Sequence, residues 1–107
     1  MQKEIPLQDM QQDNEFERYE SQFKALADKK RLHIMNILTQ RGKTCVCDLA
    51  PLMGMTQSKL SYHLKILWDA GIIHKETKGT NSYYSINTKE INHLLSHELC
   101  CIFKPSC

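Results

Sequence analysis

Five cysteines fall into two groups: Cys45 and Cys47, one residue apart, and Cys100, Cys101 and Cys107 in the last stretch of the chain. The thiolate is the metal-binding and nucleophilic form of cysteine. Three soft sulfurs in one short segment suit trivalent arsenic or antimony far better than magnesium or calcium. An odd number of closely spaced cysteines does not read as a structural disulfide framework, so metal binding or redox sensing is the better reading. A single buried cysteine is often a small apolar filler, but three near a polar terminus are poor core material. A rival ligand set is His93, His97, Cys100 and Cys101. On a helix of 3.6 residues per turn these lie within about 100° of one another, and mixed nitrogen and sulfur ligands suit zinc, cadmium or cobalt.

The second chemistry is nucleic-acid recognition. The segment 57–70 carries Leu60, Leu64, Leu67 and Trp68 at helical spacing, while Gln57, Ser58, Lys59, Ser61, Tyr62, His63 and Lys65 offer polar and basic groups elsewhere. A recognition helix needs this division: one face fixes its angle in the major groove and the other reaches base edges and phosphates. Gln57 stands at the N-terminal end, where it can pair with adenine through two hydrogen bonds. Lys75, Lys78 and Asn81 follow on a hairpin, placed for an adjacent minor groove or phosphates.

These side chains require a scaffold, and its elements are legible in order. Residues 1–14 lack periodicity and read as a flexible arm. Phe16, Tyr19, Phe23, Leu26 and Ala27 give a helix over 15–27 with one apolar stripe. A second helix has Leu32, Met35 and Leu38 on one face, with Ile34 and Ile37 beside it, and ends at Gly42. Next comes a short helix before Gly54, expected to start near Asp48 or to kink at Pro51. Thr56 is the expected N-cap of the recognition helix. The period then changes to two in strands 72–77 and 82–86. A last helix, from Thr88 to about Ile102, packs on Ile91, Leu94, Leu95, Leu99 and Ile102, and Pro105 stops it. The Gly54-Met55-Thr56 turn completes a helix-turn-helix. The fold class is mainly α with a small β-hairpin, a winged helix-turn-helix. Domains run as an arm (1–14), a DNA-binding and dimerisation unit (15–99) and a cysteine-rich tail (100–107).

Composition sets limits on the rest. The 107 residues are 41% apolar and 24% charged, with a net charge of only +2, so affinity for nucleic acid must come from a local basic face. A chain of this size buries roughly two-thirds of its unfolded surface and gains from a partner subunit. No apolar run approaches the roughly 20 residues that span a membrane. The polar first residues lack a secretory core, so a cytoplasmic location is expected. No Cys-x-x-Cys beside a βαβ pattern, phosphate loop or nucleophile with an evident base is present, which argues against an enzyme.

The runs Cys45-Val46-Cys47-Asp48-Leu49-Ala50, Thr56-Gln57-Ser58-Lys59-Leu60-Ser61-Tyr62-His63-Leu64-Lys65-Ile66-Leu67 and Ala70-Gly71-Ile72-Ile73 resemble the ArsR/SmtB family of metal-responsive repressors, over roughly 23–99. The resemblance implies a homodimer joined by its first and last helices. That dimer would hold double-stranded operator DNA with an inverted repeat and leave it when a toxic metal binds. It also implies that Cys-Val-Cys-Asp-Leu supplies ligands. In the best-known arsenic version a third cysteine stands where this chain has Ala50, so a third sulfur must come from elsewhere. The Cys100-Cys101-x5-Cys107 spacing resembles arsenic repressors that bind at the last helix. The zinc-sensor pattern departs: the last helix opens Asn87-Thr88-Lys89-Glu90, and His93 and His97 are four apart. The expectation is therefore an As(III)- or Sb(III)-responsive repressor with no organic cofactor, its inducer at Cys100, Cys101 and Cys107 first and at Cys45 and Cys47 second. The alternatives are a cadmium-, zinc- or lead-responsive repressor, or a thiol redox-sensing one, of the same fold.

Overall fold

A computed structural model describes residues 7–95. Among them the order is α1 (Leu7–Leu26), α2 (Lys29–Arg41), β1 (Thr44–Cys45), α3 (Val46–Met53), α4 (Gln57–Asp69), β2 (Ile73–Lys78), β3 (Asn81–Ile86) and α5 (Thr88–Leu94). This is a winged helix-turn-helix, with α3 and α4 as its helical pair and β2–β3 as its wing.

The helix ends follow from their caps. Asp28 accepts from the amides of Lys30 and Arg31 and starts α2. Thr56 Oγ1 accepts from Lys59 N at 3.2 Å and starts α4, as its position in the sequence predicts. Gly54 ends α3 in the left-handed region (φ +64°), where an L side chain would be strained. The sharp return to α4 depends on that residue.

Three strands form one antiparallel sheet in the order β1-β3-β2. In the wing Ile73 faces Ile86 and Lys78 faces Asn81, which leaves Gly79-Thr80 as a two-residue loop. Gly79 has φ +62°, as the first position of a type II′ turn requires. Thr44 and Cys45 pair with Tyr84 and Tyr83 of β3. This short β1, which too few residues encode for period-two reading, ties the first cysteine pair to the wing.

The core joins Ile34 and Leu38 of α2, Leu49 of α3, Leu60, Leu64 and Leu67 of α4, and Ile72 and Ile73, none more than 2% exposed. Each such side chain contributes about 1.5–3 kcal/mol through burial. Their steps of four and three along α4 turn its other face outward.

Several expectations are corrected. The helix reaches back to Leu7, so 7–14 are helical residues of α1 although they carry no apolar stripe for periodicity to reveal. Residues 1–6 lie outside the described residues, as do 96–107, which hold His97, Leu99, Ile102 and the cysteine-rich tail. Helix α3 starts at Val46, earlier than Asp48, because Cys45 provides the cap. Leu32, Trp68 and Leu95, expected on packed faces, are exposed.

Candidate nucleic-acid interface

Helix α4 presents Gln57, Ser58, Lys59, Ser61, Tyr62 and Lys65 to solvent. Tyr62 is 64% exposed. These are short polar, basic and aromatic groups at the N-terminal half of a helix held by a buried leucine row. That arrangement suits entry into a major groove. Lys65 pairs with Asp69 at 3.0 Å on the surface, a weak i,i+4 contact that leaves it available to a phosphate.

His63, expected among the DNA-reading residues, faces inward. It is 5% exposed, and its Nδ1 lies 3.2 Å from Arg31 Nη1 of α2. A guanidinium can only donate, so Nδ1 is the acceptor and the ring is neutral with its proton on Nε2. Burial lowers the pKa of His63 against an opposing pull from Asp28, and the Arg31, Lys30 and Lys59 charges lower it further. Arg31 also donates to the Ala25 carbonyl at 2.6 Å. His63 therefore anchors α4 to α2.

The wing is more braced than its sequence shows. Lys75 lies over the Trp68 ring, 5.1 Å from its centroid, rather than at the hairpin tip. Glu76 bonds Lys43 at 2.6 Å and Lys78 at 3.5 Å, and the hydrogen bond from Lys43 is the main cause that holds its carboxyl below the ordinary value. Asn81 remains exposed beside the turn.

Sequence reasoning missed Lys30. It stands in the first turn of α2, and the neighbouring ammonium of Lys59 on α4 lowers its pKa by like-charge repulsion. Two ammonium groups held together form a natural seat for a phosphate. Only the packing of α2 on α4 brings them together, so no local pattern marks the pair.

Cys45 and Cys47 stand at the junction of wing and helices. Cys45 ends β1 and caps α3, its sulfur accepting from Cys47 N at 3.1 Å. The turn into α3 brings their Cα atoms to 5.2 Å, which places the two sulfurs side by side and within reach of a disulfide. This pair lines a groove of about 410 Å³ with Gln57, Ser61 and Lys65 of α4 and Asn81 of the wing. Among the described residues no group of three His, Cys, Asp or Glu is placed to hold a metal ion. Two sulfurs alone leave a three-sulfur site incomplete. His33 and His74 are exposed. His93 is engaged by the Tyr19 hydroxyl at 3.0 Å, with the rings stacked.

Among the described residues no helix is long and apolar enough to cross a membrane. Residues 28–75 match the model of the bacterial regulatory protein, arsR family. The chain is 69% identical over 87 residues to the arsenical resistance operon repressor of Bacillus subtilis (strain 168), covering 81% of this chain and 83% of that one. Its fold is similar to a homodimeric winged helix-turn-helix DNA-binding domain from Mycobacterium bovis, with TM-score 0.71, 29% identity and coverage of 78% and 76%. It is also similar to the AntR antimony-specific transcriptional repressor, with TM-score 0.60, 33% identity and coverage of 78% and 76%.

Proposed function

The chain belongs to the arsR family of bacterial regulatory proteins, and we propose that it is a cytoplasmic, homodimeric repressor released from operator DNA by As(III) or Sb(III). It is a DNA-binding transcriptional regulator and not an enzyme. The reading is carried by one arrangement: the Cys45–Cys47 pair shares a groove with Gln57, Ser61 and Lys65 of α4 and Asn81 of the wing. This supports the reading by setting one of the two cysteine groups beside the face assigned to DNA.

The inducer site is assigned first to Cys100, Cys101 and Cys107, which offer the three soft sulfurs a trivalent metalloid takes. Cys45 and Cys47, once reduced, are the second. Gln57, Ser58, Ser61 and Tyr62 read bases or phosphates, while Lys59, Lys65, Lys75, Lys78 and Asn81 are assigned to the DNA backbone and minor groove. Dimerisation through α1 and the last helix accounts for exposed Phe16 and Phe23 on α1 and Leu95 at the end of α5. A two-fold dimer calls for an inverted-repeat operator.

The test is titration of reduced protein on duplex DNA from upstream of its own coding sequence, with and without arsenite, and with zinc and cadmium in parallel. Release by arsenite, abolished when Cys100, Cys101 and Cys107 are all serine, is the expected result. An unchanged arsenite response in that variant moves the site to Cys45 and Cys47. Release by zinc or cadmium alone overturns the metalloid reading.

The adjacency of Cys45 and Cys47, with Cα atoms 5.2 Å apart, is the observation behind a second reading, thiol redox control. Two thiols and one peroxide give the disulfide and two waters. Peroxide would then alter DNA binding without any metal.

A further inference from the structure

Gln22 lies in α1, is 1% exposed, and takes no part in the DNA-reading face. Its amide nitrogen donates twice, to the Ala70 carbonyl at 3.3 Å and to Glu90 Oε1 at 2.9 Å. Both partners are acceptors, so the amide can stand only one way round. Its oxygen is left buried without a partner.

Those partners belong to two other helices. Ala70 caps the C-terminal end of α4. Glu90 sits in the first turn of α5 and is also held by Arg18 of α1 at 3.0 Å. Asn87 adds to the tie: its Oδ1 accepts from Glu90 N, its Nδ2 donates to the Gly71 carbonyl at 2.9 Å, and its own N–H donates to the Ile72 carbonyl at 2.9 Å. The carbonyls of Ala70, Gly71 and Ile72, where α4 ends, are thus fastened to the start of α5. One of them is fastened through Gln22 on α1.

A half-satisfied buried amide is costlier than an apolar side chain of the same size. Its geometry is also sensitive, because a donor already at 3.3 Å loses its bond with a shift of a few tenths of an ångström. We infer that Gln22 is a positioning residue that couples the first turn of α5 to the C-terminal end of α4, so that a displacement of α5 against α1 re-aims the recognition helix. This rests on the proposed repressor function and supplies the route by which thiols beyond α5 act on DNA contact.

The test uses the full-length reduced protein, its upstream duplex DNA and arsenite, comparing wild type with Gln22→Met and Glu90→Gln. Met matches Gln in length but cannot donate. Gln22→Met is expected to bind DNA within about threefold of wild type while its arsenite-induced loss of affinity shrinks about fivefold or more, and Glu90→Gln, which keeps the acceptor oxygen, retains the full loss. A second readout needs no inducer: because coupling is reciprocal, DNA should slow amide exchange over 91–95 in wild type and not in Gln22→Met. Equal DNA-induced protection in both proteins overturns the inference. If arsenite fails on wild type but the protection depends on Gln22, the inducer reading falls and the coupling stands. Should Gln22→Met not fold, Glu90→Leu removes the acceptor from the other side, and the same two readouts decide.

Discussion

Arg31 Nη1 donates to His63 Nδ1 across 3.2 Å, so α2 grips the recognition helix from its buried side. The same guanidinium reaches the Ala25 carbonyl and stands 3.9 Å from Asp28. The orientation of α4 on the core is therefore set partly by a neutral imidazole, and that state depends on pH.

Folding lowers the pKa of His63 from its ordinary 6.5, mainly by burial. The folded state favours the neutral ring, so its stabilisation is full above pH 6.5 and is lost as pH falls through 6.5 toward the folded value. Urea midpoints should fall between pH 7.5 and 5.5. In His63→Gln, which keeps an acceptor for Arg31 but no titration, the slope over that range should flatten. An unchanged slope would remove His63 from the account.

The Lys30–Lys59 pair and Gln57 should separate by salt dependence. Lys30→Ala and Lys59→Ala are each expected to lower the slope of log K against log salt by about 1, weakening all sequences alike. Gln57→Ala should leave the slope unchanged and cost about 1–3 kcal/mol only on DNA with the preferred base. Binding of each variant to matched and mismatched duplexes at four salt concentrations would distinguish them.

The legible parts of this molecule are those with local signals. Leu60, Leu64 and Leu67, the Thr56 cap, the two glycines at Gly54 and Gly79, and the alternation in the wing each act within a few residues. The parts that were misread depend on contacts across the chain. His63 lies on the boundary between the leucine row and the polar face, and only Arg31, thirty-two positions away, draws it inward. Trp68 reads as core but is exposed, with Lys75 over its ring. The Lys30–Lys59 pair and the Gln22 tie are tertiary throughout. A two-residue strand such as β1 offers no period to detect.

The Thr56 cap and the leucine row should differ in what they damage. Thr56→Ala removes the acceptor for Lys59 N and is expected to cost about 0.5–2 kcal/mol, with DNA affinity falling because the first turn of α4 carries Gln57. Leu64→Ala opens a fully buried site and should cost about 2–5 kcal/mol. Urea unfolding together with DNA titration checks both. A Thr56→Ala protein that loses stability but keeps full affinity would show that the first turn of α4 does not need its cap to read DNA.

Substitution at the Cys45–Cys47 pair can test sulfur chemistry without sacrificing the fold. Cys45 does two things: its sulfur caps α3 by accepting from Cys47 N, and it stands against the sulfur of Cys47, where a disulfide can form. Serine is a strong N-cap, so Cys45→Ser keeps the first role and deletes the second. A Cys45→Ser/Cys47→Ser protein should therefore melt close to wild type and bind its upstream DNA with affinity close to that of the reduced wild type. Its response to peroxide should disappear if the redox reading holds, since no disulfide can form there. Its response to arsenite should persist if Cys100, Cys101 and Cys107 hold the inducer, and should fall sharply if the pair supplies two of the three sulfurs. Thiol titration of the unfolded wild type adds a direct check: with the pair oxidised, three of the five cysteines react without reductant and all five react with it. Five reactive thiols in both conditions would mean that the pair stands reduced, which removes the redox reading and leaves both sulfurs free for the metalloid.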